Sequence, residues 1–281
     1  MSDSNKIAAV QLKTSGDWEK DLSRAAERVV IATQTGASLV VFGELFGWPW
    51  FADQMDKGNF DQAQTLDGPV MKRWAQIAGD NKTAIAAPIF LHDGQGGYSN
   101  AVVIIDGQGQ TKSVSRSVHI PQIPGWEGKF YFQPGQEYAV TEIDGMPVGI
   151  LICWDAFFPE AFRALALRGV RVVVAPTSAT GANEDLWQRA LAAQAFFNGF
   201  YVVRVNRVGE EKGLTFCGQS FCATPTGDLL GDPMGTVEGM AMYDIERKVV
   251  EMTRREFPFL KDRMPHTYLD LANLAIQPKK D

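Results

Sequence analysis

Two side chains in this sequence stand where apolar runs stop. Cys153 follows VGILI in the stretch LICWDAFFPE (151–160), and Glu44 ends SLVVFGE just before the aromatic loop LFGWPWF. A thiol at a strand–loop–helix junction, close to a helix start at Pro159, is placed to ionise and attack an electrophile. The competing reading is a core thiol, since free cysteine is among the most buried residue types. A carboxyl at a strand end amid aromatic rings is desolvated, its pKa rises, and it suits general acid–base work. The competing reading is a buried glutamate satisfied by an arginine or a backbone amide. Together Cys153 and Glu44 make a nucleophile–base pair without histidine, able to attack an amide or nitrile carbon.

Around the pair, Trp48, Trp50 and Phe51 are candidates either for lining a pocket or for packing their own loop. Asp155 reads as a partner for backbone or an arginine, and Asn206 and Arg207 as a structural network. Glu160 and Arg163 read as a helix-surface pair or a dimer contact, and Cys217 and Cys222 as core. The three histidines, His92, His119 and His266, are scattered, and there is no Cys-x-x-Cys, His-Glu-x-x-His, Walker loop or Gly-x-Gly-x-x-Gly. The sequence therefore implies no metal and no cofactor.

The elements that must position these groups follow from hydrophobic period. Residues 6–12, 38–45, 83–92, 98–106, 148–155, 170–178, 200–208, 219–225 and 239–245 read as strands. Residues 17–36, 67–82, 159–169 and 183–199 read as helices, with Asn183 a candidate cap for the last. The 83–92 and 98–106 strands flank DGQGG, a hairpin turn signal. The order predicts a mixed α/β fold in one domain over 1–281, with a tail from about residue 270 leaving it.

Bulk composition narrows the class. The 281 residues are 45% hydrophobic with a net charge of −6 and no basic block, which points away from nucleic acid and anionic membranes. No apolar run reaches transmembrane or signal-peptide length, and three cysteines make no disulfide framework. The expectation is a cytoplasmic protein that acts on a small molecule.

Several motifs in order carry a more specific likeness. FGELF around Glu44, ICWDAFFPEAFRALALRG after Cys153, HIPQIPGWEGKFYFQPG (119–135), VNRVG (205–209), TFCGQSFCATPTGDLL (215–230) and FPFLKDRMPHTYLDL (257–271) succeed one another over residues 6–270. In these the chain resembles the nitrilase superfamily of carbon–nitrogen hydrolases, in particular its N-carbamoyl amidohydrolases of the N-carbamoylputrescine amidase and β-ureidopropionase type. The resemblance implies a four-layer αββα sandwich and homodimers formed through helices near the cysteine. It also implies hydrolysis of an amide or N-carbamoyl amine through a Cys153 thioester, with Glu44 as base and a lysine on the oxyanion. That lysine is the departure: its position holds Ser117, and the glutamate that usually braces it is replaced by Gly128, with Glu127 one residue early. The Trp154 backbone N–H is then the remaining oxyanion donor, and Arg116, His119 and Lys129 are candidate substitutes. Trp126 and Glu127 join Trp48 and Phe51 as pocket candidates. The alternative function is an impaired member that binds a ligand or partner, or performs altered thiol chemistry such as acyl transfer.

Overall fold

A computed structural model of the chain describes residues 4–181 and 184–273. The candidate cap Asn183 and the tail beyond 273 lie outside the described residues.

One sheet begins with β1 (Ser4–Gln11), followed by α1 (Trp18–Gln34), β2 (Leu39–Phe42), α2 (Pro69–Asn81), β3 (Ala84–His92), β4 (Tyr98–Ile105) and β5 (Thr111–Arg116). After a single turn, α3 (Gly128–Tyr131), the second sheet is laid down. Its elements are β6 (Val140–Ile143), β7 (Met146–Ile150), α4 (Pro159–Leu167), β8 (Val172–Thr177), α5 (Glu184–Asn198) and β9 (Tyr201–Asn206). A hairpin, β10 (Val208–Glu211) and β11 (Leu214–Cys217), precedes β12 (Phe221–Ala223) and β13 (Gly239–Glu246), and α6 (Arg247–Glu256) and α7 (Leu269–Asn273) follow. The strand orders are β13-β1-β2-β3-β4-β5 and β12-β9-β8-β7-β6.

Alternation along the strands builds the layers. Ile7, Ala9, Leu39 and Val41 turn to one side and pack against Val148, Ile150, Val172 and Val174 of the other sheet. Their neighbours Ala8, Val10, Val40 and Phe42 turn the opposite way onto Leu22, Ala25, Val29, Val70, Trp74 and Ile77 of α1 and α2. Val173 and Val202 likewise meet Ala161, Phe162, Leu165, Leu191 and Ala195 of α4 and α5. A strand buried on both faces must be apolar at every position, which is why these strands read as continuous runs. The result is the αββα sandwich, with both sheets flanked by helices.

Two expected strands are shorter than their apolar runs. The 38–45 run pairs only over Leu39–Phe42, and the 148–155 run only to Ile150, so neither Glu44 nor Cys153 lies in a strand. Both sit in turns just past the strand ends, where the backbone goes left-handed at Leu45 (φ 50°) and at Cys153 (φ 46°). The expected strand 200–208 also breaks, with Arg207 between β9 and β10.

Candidate active site

The turns after β2 and β8 are stitched together across the two sheets. Glu44 N–H donates to the Thr177 carbonyl at 3.4 Å, and Ser178 Oγ donates to the Glu44 carbonyl at 3.2 Å. Gly43 permits this approach: a Cβ there would lie 3.1 Å from Arg207 Cγ and 3.2 Å from its backbone nitrogen. Asn206 holds the facing turn. Its Oδ1 accepts from Thr177 Oγ1 (2.9 Å) and Ala179 N–H (2.8 Å), and its Nδ2 donates to the carbonyls of Ala179 (3.1 Å) and Gly218 (3.0 Å).

Glu44 is 4% exposed, and its Oε1 accepts from Asn100 Nδ2 at 2.6 Å. Its Oε2 and Asn100 Oδ1 are buried acceptors with no hydrogen-bond partner at conventional distance. Burial pushes the carboxyl above its ordinary value, while contacts from Cys153, Asn100 and Ser178 and the charge of Arg207 pull the other way. Arg207 is fully buried behind the glutamate, with its guanidinium on Glu211 (2.5 Å), on the Trp48 carbonyl (3.0 Å) and over the Phe216 ring (4.9 Å).

Cys153 is 8% exposed and opens a 3₁₀ turn, Cys153–Phe157. A left-handed non-glycine residue stores about 1–3 kcal/mol of strain, and such strain gathers at functional turns. Burial and the neighbouring Glu44 carboxylate push the thiol well above its usual range, and the Ser178 backbone N–H and the Arg204 charge draw it down. The helix-start position thus does not give a standing thiolate. The Glu44 charge opposes ionisation of the thiol, while the Cys153 hydrogen bond favours the carboxylate, so the two groups titrate as a coupled pair.

Asp155 bonds backbone. Its carboxylate accepts from the N–H groups of His119 (2.7 Å), Val118 (3.1 Å) and Ile152 (3.2 Å), and from His119 Nδ1 at 3.0 Å. It thereby clamps the cysteine turn to the 117–119 loop. Ser117 is 4% exposed, and its Oγ donates to the His119 carbonyl at 3.0 Å.

A small cavity of about 20 Å³ touches Glu44, Asn100, Ser117, Cys153 and Trp154, with Trp50, Trp126 and Gly128 among its walls. That is room for about one water. On the other side of Cys153 a cleft of about 230 Å³ opens outward.

Of the pocket candidates, Trp126 lines both spaces. Trp48 and Phe51 do not line them: their rings are core. Trp48 Nε1 donates to the Gln62 carbonyl at 2.9 Å, and Phe51 stacks on Phe90 with centroids 4.8 Å apart. The loop is a turn with no strand period, and within it Trp50 lines the cavity while Trp48 and Phe51 pack inward. Glu127 is also outside both linings, held by Gln122 Nε2. Arg116, His119 and Lys129 line neither space. His119 lies flat on Phe158 with centroids 3.5 Å apart, and Lys129 is exposed. Cys222 is buried between the sheets as expected, whereas Cys217 is only half-buried, 3.6 Å from the Ala179 carbonyl.

Sequence reasoning missed Asn100, Ser178 and Trp187. Asn100 carried a signal, being an amide inside the otherwise apolar run AVVII and its approach YSN. Among the described residues no group of three or more His, Cys, Asp or Glu could hold a metal ion, and no helix is long and apolar enough to cross a membrane.

Just past the ends of β2 and β7, a buried glutamate and a buried cysteine border one cavity within an αββα sandwich. The chain belongs to the carbon–nitrogen hydrolase family, which it matches over residues 6–255. It is 30% identical to N-carbamoylputrescine amidase of Solanum tuberosum, over 95% of each chain. A crystal structure of a carbon–nitrogen hydrolase from Helicobacter pylori superposes with a TM-score of 0.90 at 27% identity, covering 96% of this chain and 98% of that one. An amidase from Nesterenkonia sp., in a mutant form bearing the acetamide moiety of fluoroacetamide on its active-site cysteine, superposes at 0.78 with 25% identity, covering 94% and 95%.

Proposed function

We propose that this chain hydrolyses a primary amide or N-carbamoyl amine through a thioester on Cys153. The observation that carries the reading is the buried, mutually coupled Cys153–Glu44 pair, bordered by the unpartnered acceptors Glu44 Oε2 and Asn100 Oδ1. An amide NH₂ offers two donors to match two acceptors. As Sγ attacks the carbonyl carbon, Glu44 takes the thiol proton. The C–N bond breaks, Glu44 passes that proton to the leaving nitrogen, and ammonia departs. Water then adds to the thioester with Glu44 again as base, and the acid and free thiol are released.

Ser117 stands where the family's lysine stands, and among the described residues no Lys, Arg or His lines the small cavity. The Trp154 backbone N–H, beside the nucleophile, is the donor left to the oxyanion. Loss of one such donor costs about 10²–10³ in kcat, so turnover is slow. The same observation favours a second reading, an impaired member that binds a ligand or transfers the acyl group elsewhere.

The two readings separate by intact-protein mass and ammonia release on a panel of amides, N-carbamoyl amines and nitriles. Hydrolysis gives continuous ammonia release that Cys153→Ala abolishes. A stoichiometric adduct on Cys153 with no further release would support failed deacylation, and no adduct and no release would sink the hydrolase reading.

We further propose a homodimer through α4 and α5. Leu167 and Phe197 are each 49% exposed beside an open groove of about 670 Å³, whose lining sets them and Phe259 and Leu271 among Glu160, Arg163, Asp262 and Arg263. A monomer by light scattering at micromolar concentration would contradict it.

A further inference from the structure

The cleft outside Cys153 is a different surface from the cavity that faces Glu44. Its floor is Cys153, Ser178, Ala179 and Thr180, and its walls are Ile123, Trp126, Trp154, Phe157, Leu186 and Trp187. Three rings run together, Trp154 against Phe157 at 5.3 Å and Phe157 against Trp187 at 4.3 Å. The rim exposes large apolar groups, with Leu186 at 50%, Ile123 at 42% and Phe157 at 37%. Exposed apolar groups concentrated around one concavity, with a nucleophile at its base, mark a ligand site.

We infer that this cleft receives an uncharged, apolar substituent of the substrate, an aryl or short branched alkyl group attached to the reacting amide. The inference rests on the hydrolase reading and names its substrate class. Among the described residues lining the cleft there is no Asp, Glu, Lys, Arg or His. A substituent bearing an ammonium or a carboxylate would lose hydration there and meet no opposite charge among the described lining residues. Aromatic walls can hold a cation over their faces. Here, however, the Trp187 ring is already engaged: the Arg204 guanidinium, fully buried, lies 4.5 Å from its centroid. Size sets the rest. At about 230 Å³ the cleft has room for a phenyl ring or a branched chain.

The test uses the full chain with four probes, phenylacetamide, isovaleramide, N-carbamoylputrescine and an N-carbamoyl amino acid, and acetamide as the reference lacking a substituent for the cleft. Binding is read on Cys153→Ala by tryptophan fluorescence and calorimetry, and turnover on the wild type by ammonia release. The two neutral amides should bind at least about tenfold more tightly than the charged probes and, where turnover occurs, show a correspondingly larger kcat/KM. Leu186→Asp and Phe157→Ala should each lower the preference for phenylacetamide over acetamide by about tenfold. Charged probes that bind equally well or better, no binding of either neutral amide at millimolar concentration, or cleft variants that leave that preference unchanged would each overturn the inference. Neutral amides that bind Cys153→Ala but release no ammonia from the wild type would leave the substrate class standing and remove the hydrolase reading. Faster turnover of the charged probes would do the reverse.

Discussion

Cys153 has two unlike sides. Inward, toward Glu44, Asn100 and Ser117, the space is about 20 Å³ and carries buried polar acceptors. Outward, toward Trp154, Phe157 and Trp187, it is about 230 Å³ and apolar. A buried acceptor without a partner is expensive, whereas an apolar wall is content with any apolar guest. The inner side can therefore discriminate sharply among reacting groups, while the outer side discriminates weakly among substituents of the same polarity. Chemistry and substrate range are set by different residues, and variants on the two sides should fail in different ways.

The largest effect belongs to the residue both sides share. Cys153→Ala should lower turnover by about 10⁴-fold or more yet keep binding at the outer cleft, because the methyl group leaves its aromatic walls in place. It also exchanges a thiol for a methyl at a left-handed position, so the backbone strain persists. Ammonia release and ligand titration on the same preparation check this. Residual turnover near the wild-type rate would place the nucleophile elsewhere.

Glu44→Gln should be next, with a loss of about 10²–10⁴ in kcat, and it should gain stability. The sign follows from burial, which raises the Glu44 pKa in the fold above the ordinary 4.5. The folded protein thus holds this proton more tightly than the unfolded chain does. Stability is lost as pH climbs from the ordinary carboxylate range through the raised value, and above it the loss is complete. The amide carries no such charge, so the variant should melt higher than wild type at neutral pH and equally near pH 4. Melting curves across pH 4–8 read it. In the wild type the same raised pKa sets the acid limb of the rate profile above the ordinary carboxylate range. The raised thiol sets no early alkaline limb. A wild-type acid limb at the ordinary carboxylate value would count against Glu44 as base.

Asp155→Asn tests whether the inner side depends on its clamp. An amide nitrogen in place of Oδ2 would face the Ile152 N–H and leave it unpaired, while the Val118 N–H keeps its bond to Oδ1. A buried donor so orphaned costs about 1–3 kcal/mol. The melting temperature should fall, and kcat should fall about tenfold through displacement of the Cys153 turn, with KM for a neutral amide nearly unchanged. A fall in KM-dependent binding without loss of kcat would mean that the clamp serves the outer cleft instead.

How much of this was legible in the sequence follows the same division. The strands that bury both faces were visible as apolar runs, and the helices as periodic ones. β5 and β6 were not identified, because TKSVSR and VTEI carry polar residues that one half-covered face tolerates. Helix α6 was missed because RKVVEMTRRE buries only Val250 and Thr253. In the site, Glu44 and Cys153 stood out because each interrupts an apolar run. Their turns did not, since a left-handed cysteine leaves no mark on sequence. The aromatic loop misled, because it is a turn with no strand period to assign its rings: Trp50 lines the cavity, whereas Trp48 and Phe51 pack in the core. Trp187 and Arg204 come from different elements, and no spacing within either would pair them.

The smallest effect should be at Ser117. Its hydroxyl is committed to the His119 carbonyl, and the residue reaches the cavity only as part of its wall. Ser117→Ala should therefore change kcat by less than about threefold, the loss of one neutral hydrogen bond at most. A lysine at position 117 should not help either. A lysine side chain does not fit a space for about one water, and overfilling a packed site costs about 1–3 kcal/mol. The bracing glutamate cannot be returned cheaply: a Cβ on Gly128 would stand 2.8 Å from the Pro121 carbonyl oxygen and 2.9 Å from Ile120 Cγ2. The obstacle there is close approach of the Pro121 carbonyl and the Ile120 side chain, not a left-handed φ. Ser117→Lys with Gly128→Glu should accordingly melt lower than Ser117→Lys alone and turn over no faster, measured side by side with Cys153→Ala as the blank. A gain in kcat by the double variant would show that the loop yields, and that the inner side still carries the geometry a lysine needs.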